Sequence, residues 1–187
     1  STLGSGSGQF ENFSETGETR TPAFCMHYRE VIEEIGGWDT DFITSQDSDL
    51  SMRLQDSGFK LYRTDDTHVK MVKRTNFSSW IKMGYRYGFW RTKIIKKHPS
   101  RYSKREFLPW GGLILTLILL LTSTPYWYVP SLIYALAIIS EGLRFSVKWR
   151  KISLLIGVPL SLLALHTTFS IGLIGGLVRK GRASNDR

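Results

Sequence analysis

Residues 44–59 read TSQDSDLSMRLQDSGF. Read as a helix, the stretch is well formed. Thr44 or Ser45 stands where a capping hydroxyl belongs, and Asp47 falls in the first turn, where unpaired N–H groups favour negative charge. Leu50 and Leu54, four residues apart, give a core face, while Asp49 and Arg53, at the same spacing, can pair. Gly58 ends the run. So many carboxylates at one helix start either cap and solvate it or include a proton acceptor, and the surrounding residues decide which.

Upstream, Val31, Ile32 and Ile35 form an apolar stripe that predicts a helix over Tyr28–Ile35. Gly36 follows where a left-handed cap residue belongs, and Gly37, Trp38 and Asp39 make a turn. Downstream, Phe59–Arg63 and Thr67–Val72 read as short strands joined at Asp65 and Asp66. The Gly/Ser-rich start, including GSGSG at 4–8, matches no phosphate-loop pattern and reads as a flexible loop. No basic segment followed by an apolar core opens the chain, so no signal peptide is expected. Cys25 is the only cysteine, which rules out an intrachain disulfide and fits a reducing compartment. With no evident catalytic partners, it reads as a buried structural thiol.

From Asn76 to His98 the period becomes helical. Trp80, Met83, Tyr87, Trp90 and Ile94 recur every three or four residues, opposite Lys82, Arg86, Lys93 and Lys97. Aromatics facing lysines and arginines fit an interfacial helix on a membrane surface; the alternative is a soluble helix packed on a core. Residues 108–125 are uncharged and just long enough to cross a bilayer. Residues 126–140 form a second apolar run headed by Tyr126, Trp127 and Tyr128, and 152–178 form a third, containing Pro159 and His166. The connector Glu141–Lys151 and the tail from Arg179 are both basic, which draws both to the cytoplasmic side, yet one crossing by the third run separates them. That run is read as one tilted span with the tail outside, the alternative being a re-entrant hairpin bent near Pro159. His166 fits a proton or ligand site, or equally a hydrogen bond to a neighbouring helix.

The organisation expected is therefore a soluble region over 1–75, an amphipathic helix and basic linker over 76–107, about three transmembrane segments over 108–178, and a basic tail over 179–187. The net charge of +9 over 187 residues would suit nucleic acid, but the apolar spans and the lack of a recognition motif exclude that class. A non-catalytic membrane module binding anionic lipid or a protein partner through its basic helix stays open.

The pieces stand in a particular order. Gly36, Gly37, Trp38 and Asp39 precede Gln46 and Asp47, then Asp49, Leu50 and Arg53, then Tyr87 and Gly88, then Lys97, His98 and Pro99, then the apolar runs. In this order and spacing, residues 8–178 resemble the C-terminal half of membrane-bound family 2 glycosyltransferases of the succinoglycan and exopolysaccharide type. The resemblance implies a partial GT-A region, Rossmann-like α/β, at the cytoplasmic face of the cell membrane, ahead of a multi-pass helical part. It implies inverting transfer from a nucleotide-diphosphate sugar to a lipid-linked or polysaccharide acceptor. Asp47 takes the place of the general base. Gly36, Gly37, Trp38, Gln46 and Arg86 become candidates for substrate contact, and Asp49 and Arg53 a structural pair. Gln46 stands where Glu is commoner; it cannot ionise, so its part would be hydrogen bonding. The family's divalent cation, Mg or Mn, is held by an Asp-x-Asp strand end in its N-terminal half. Asp47-Ser48-Asp49 has those letters but lies on a helix, so the cation's ligands are expected outside this chain. A fragment, a split gene product or one half of a complex is then the expectation, with another chain supplying the N-terminal half.

Overall fold

The computed structural model describes residues 3, 15–22, 24–67, 69–70 and 76–181. The GSGSG loop at 4–8, part of the second strand-like run and the tail beyond 181 lie outside the described residues.

Six helices dominate: α1 (Arg29–Glu34), α2 (Gln46–Asp56), α3 (Phe77–Lys97), α4 (Lys104–Leu121), α5 (Val129–Trp149) and α6 (Leu154–Val178). The only strands among the described residues are β1 (Gly17–Glu18) and β2 (Tyr62–Arg63), antiparallel, with Gly17 opposite Arg63 and Glu18 opposite Tyr62. The expected Rossmann-like α/β layering is therefore not seen here: no parallel strands are joined by a helical crossover, and the described fold is mostly helical. The partner of β2 also differs from expectation. It comes from the N-terminal segment read as flexible, not from residues 67–72, and Thr19 N donates to Leu61 O at 2.8 Å to extend the pair.

A small core joins α1, α2 and β2. Leu50, Leu54 and Leu61 are buried together, with Val31, Ile32, Ile35 and Phe59 packed around them. Full burial of each leucine contributes about 1.5–3 kcal/mol. Gly36 and Gly37 both take left-handed conformations, at φ 79° and 74°, and Gly37 N closes the end of α1 by donating to Ile32 O at 2.8 Å. The start of α2 departs from expectation. Ser45 occupies the cap position at φ 66° and makes no side-chain capping bond. Cys25 is exposed instead of buried, in a stretch without regular structure that also exposes Phe24, Met26 and Tyr28.

Asn76 caps α3, its side-chain oxygen accepting from Ser78 N at 2.8 Å. The apolar side of α3, read as facing a membrane surface, is covered by protein. Trp90, 1% exposed, packs with Phe89 and Ile94 against Phe42, while Tyr87 from the same predicted stripe is exposed. The deepest contact is made by small residues. Gly84, Gly88 and Thr92, spaced by four, lie along Thr168, Gly172 and Gly176 of α6, also spaced by four. A Cβ at Gly88 would meet the Phe169 carbonyl and come within 3.0 Å of Leu173 N; one at Gly176 would lie 2.5 Å from Phe89 O. Trp80 Nε1 donates to Ser161 O at 3.1 Å, Thr92 Oγ1 to Leu173 O at 2.9 Å, and Lys93 reaches Arg179 O. These contacts climb both helices together, so α3 and α6 run parallel.

Gly88→Ala is expected to lower stability by about 1–3 kcal/mol or more, because two helix backbones must separate to admit one methyl group. Gly111→Ala, where a Cβ meets nothing within 4 Å, is the control and should be neutral or slightly stabilising. Paired unfolding curves in one detergent check both.

By length and composition two described helices, α5 and α6, could cross a membrane, against the three expected. α4 carries Lys104, Arg105 and Glu106 in its first turn, within its 18 residues. α6 is one continuous helix with Pro159 inside it, so the run does not fold into a hairpin. The parallel packing also brings the Arg179 carbonyl to Lys93 in the last turns of α3, while the Arg179 guanidinium reaches back to donate to Tyr85 OH at 3.1 Å. The start of the basic tail thus lies beside the end of α3 that contacts α2. His166 uses both ring nitrogens: Nδ1 accepts from Tyr134 OH at 2.9 Å, and Nε2 donates to Leu3 O at 2.7 Å.

Candidate active site

Asp49 is the most constrained side chain in the α2 region. It is 0% exposed, and three basic groups share its carboxylate. Arg53 Nε donates to Oδ2 at 2.9 Å; Lys97 Nζ and His98 Nε2 approach Oδ1 at 2.6 and 2.8 Å. Burial alone would push the Asp49 carboxyl up, but the hydrogen bonds from Lys97, His98 and Arg53 outweigh it and hold it below its ordinary value. Both oxygens are thus occupied by basic partners.

Arg53 carries the network into the Gly-Gly turn. Its Nη1 donates to Ile35 O at 2.9 Å and its Nη2 to Gly37 O at 2.7 Å. Lys97 carries it to the other side of the turn, meeting Asp39 Oδ2 at 2.6 Å while lying 5.2 Å from the Phe42 ring centroid. Burial would lower the Lys97 pKa, but hydrogen bonds to Asp39 and Asp49 raise it overall. Asp39 Oδ1 also accepts from Asp41 N at 2.8 Å, which fixes the carboxylate to its own loop. Residues from two separate sequence blocks thus converge on one buried oxygen pair, and Arg53 and Lys97 tie the Gly-Gly turn to it as a third. The local i, i+4 pair was legible from spacing; Lys97 and His98, nearly fifty positions from Asp49, were not. Their only sequence signal is a Lys-His-Pro at the end of an amphipathic helix.

Between the two clamps Trp38 stands half exposed, its ring turned to solvent. Gln46 is the exposed first residue of α2. Asp47 follows it in the first turn, part-buried, where the helix N-terminus stabilises a carboxylate. Its charge is felt by Arg91 of α3 and by Cys25. Arg91 is drawn below the usual arginine value by burial, against the pull of Glu106. Glu106 at the start of α4 lies 3.1 Å from Arg91 Nε and 3.6 Å from Arg101 Nη1. Arg86 lies five positions earlier on α3, about 140° round the helix from Arg91. The α3 arginine that feels the Asp47 charge is therefore Arg91, which interrupts the apolar side of the helix in the sequence and was not among the candidates for substrate contact.

Among the described residues no group of three or more His, Cys, Asp or Glu side chains is arranged to hold a metal ion. Asp47-Ser48-Asp49 does not fit a divalent cation either, since Asp49 has both oxygens committed to basic side chains.

Residues 21–171 match the glycosyl transferase family group 2. The chain belongs to this family. It is similar to the dolichyl N-acetyl-alpha-D-glucosaminyl phosphate 3-beta-D-2,3-diacetamido-2,3-dideoxy-beta-D-glucuronosyltransferase of Methanococcus voltae. The two are 29% identical over 176 residues, covering 94% of this chain and 52% of the relative. It is also similar to the succinoglycan biosynthesis protein ExoA of Rhizobium meliloti, 29% identical over 80 residues, covering 43% of this chain and 24% of that one. The chain thus spans about half the length of the first relative and a quarter of the second. No solved structure matches it. The region matched by the family includes the Gly-Gly turn, α2, α3 and most of the apolar helices.

Proposed function

We propose that residues 1–187 form the acceptor side of an inverting glycosyltransferase, with Asp47 as general base. The donor is a nucleotide-diphosphate sugar, and the acceptor a lipid-linked or growing glycan at the cytoplasmic face of the cell membrane. The observation that carries this reading is the division of labour within Gln-Asp-Ser-Asp: Asp49 is fully committed to three basic groups, whereas Asp47 stands part-buried in the first turn of α2, at the family's base position. In the reaction an acceptor hydroxyl oxygen bonds to the anomeric carbon while the bond from that carbon to the diphosphate breaks. The diphosphate leaves with the electron pair, and the hydroxyl proton passes to Asp47. Trp38 offers its exposed ring to an acceptor sugar, on a turn shaped by Gly36 and Gly37. Gln46 and Arg86 stay candidates for polar contact with substrate.

The half-length coverage of the first relative supports a donor site and cation ligands supplied by sequence outside these residues. α4, α5 and α6 leave long apolar side chains uncovered, among them Leu117, Leu136, Leu160 and Ile174, which supports a membrane setting. Family membership favours transfer over the non-catalytic lipid-binding alternative. The test is transfer from a panel of labelled nucleotide sugars in membranes carrying the complete enzyme. Label should enter organic-extractable or polymeric product with the anomeric configuration inverted. No incorporation with any donor, or retained configuration, sinks the reading.

A further inference from the structure

We propose that Lys97 and Asp39 act together as positioning residues, through which the end of α3 sets the conformation of the acceptor-binding turn. This deepens the acceptor-side reading above and rests on it. Trp38 has one neighbour clamped on each side. Gly37 O accepts from Arg53 at 2.7 Å, and Asp39 Oδ2 meets Lys97 Nζ at 2.6 Å. Both clamps lead to Asp49, but they differ in origin: Arg53 belongs to α2 beside Asp47, whereas Lys97 belongs to α3, which is packed along α6. The Lys97–Asp39 pair is therefore a direct ionic link between the helix pair α3–α6 and the turn that presents Trp38. Its setting suits a fixed joint. Lys97 is braced by two carboxylates and by the Phe42 ring, and Phe42 is itself wedged 5.7 Å from Trp90. A lysine free in solvent would lose side-chain freedom for little gain; one shared between two acids on a packed ring has its Nζ position defined.

The pair touches neither reacting atoms nor donor in this scheme, so its loss should act on acceptor binding. Asp39→Asn removes one carboxylate and leaves the Asp49 network intact; Lys97→Met removes both arms. In membranes carrying the complete enzyme, each should raise the acceptor KM by about 10-fold or more with the donor KM little changed. Because the two residues act as a unit, the double variant should be no worse than Lys97→Met alone. Unfolding midpoints of the Asp39→Asn enzyme near wild type separate positioning from loss of fold. If the wild type transfers sugar but Asp39→Asn leaves the acceptor KM unchanged, the proposal is overturned. It is equally overturned if the two single effects add, or if donor and acceptor KM rise together. A wild type that transfers nothing sinks the acceptor-side reading instead, and this one with it.

Discussion

Asp47→Asn is expected to slow transfer by about 10²–10⁴-fold while leaving the fold and substrate affinities close to wild type. The amide keeps the size and much of the hydrogen bonding of the carboxylate but cannot accept the proton as the acceptor hydroxyl attacks. Asp47 lies in the first turn of α2, and removing its charge costs that turn only about 0.3–1 kcal/mol through the helix dipole. The effect should therefore appear in kcat with unfolding midpoints nearly unmoved. Single-turnover transfer with saturating donor and acceptor is the measurement, and turnover within a few-fold of wild type would remove Asp47 from the role of base.

Two positions further on, the same change of charge has the opposite signature. Asp49→Ala should destabilise the protein by about 3–5 kcal/mol, because it removes the buried carboxylate that Arg53, Lys97 and His98 share. That is a large part of the roughly 5–15 kcal/mol that holds a typical domain together. The pH dependence follows from the directions of the two shifts. Asp49 is held below its ordinary value, so its contribution is present above the unfolded carboxylate pKa and fades as pH falls through the folded one. Lys97 is raised, so its contribution is complete below the unfolded lysine pKa and is lost as pH rises through the folded one. The network therefore holds across the neutral range and weakens only in strong acid or strong alkali. Denaturation of wild type and Asp49→Ala over pH should show a gap that narrows on the acid side of the carboxylate range. A gap that stays constant or widens as pH falls through and below that range would mean that Asp49 is not charged in the folded state.

Local features of this chain were written in short spacings and could be read there. The α1 and α2 helices, the left-handed Gly36 and the Asp49–Arg53 spacing depend on neighbours within one or two turns. What resisted reading depends on distance along the chain. Lys97 and His98 look like part of a solvated basic face until α3 delivers them to Asp49. Gly84 and Gly88 look like weak points in an amphipathic helix, because a glycine carries no apolar signal. Their use appears only when Thr168, Gly172 and Gly176 arrive against them. A hydropathy stripe therefore pointed to Tyr87, which is exposed, and passed over the true contact line about one residue away. Cys25 was misplaced for a related reason: cysteines are often buried, but burial depends on what packs over a segment, and nothing local says so.

The parallel pairing of α3 with α6 also has a consequence for biosynthesis. The ribosome completes α3 about 80 residues before it completes α6, a delay of roughly 4–16 s at about 5–20 residues per second. Throughout that interval the glycine groove of α3 has no partner, and α4 and α5 must emerge before one exists. Nascent chains stalled before residue 168 should expose Trp80 and Phe89 to a chaperone or the insertion machinery, and chains stalled after Gly181 has cleared the exit tunnel should not.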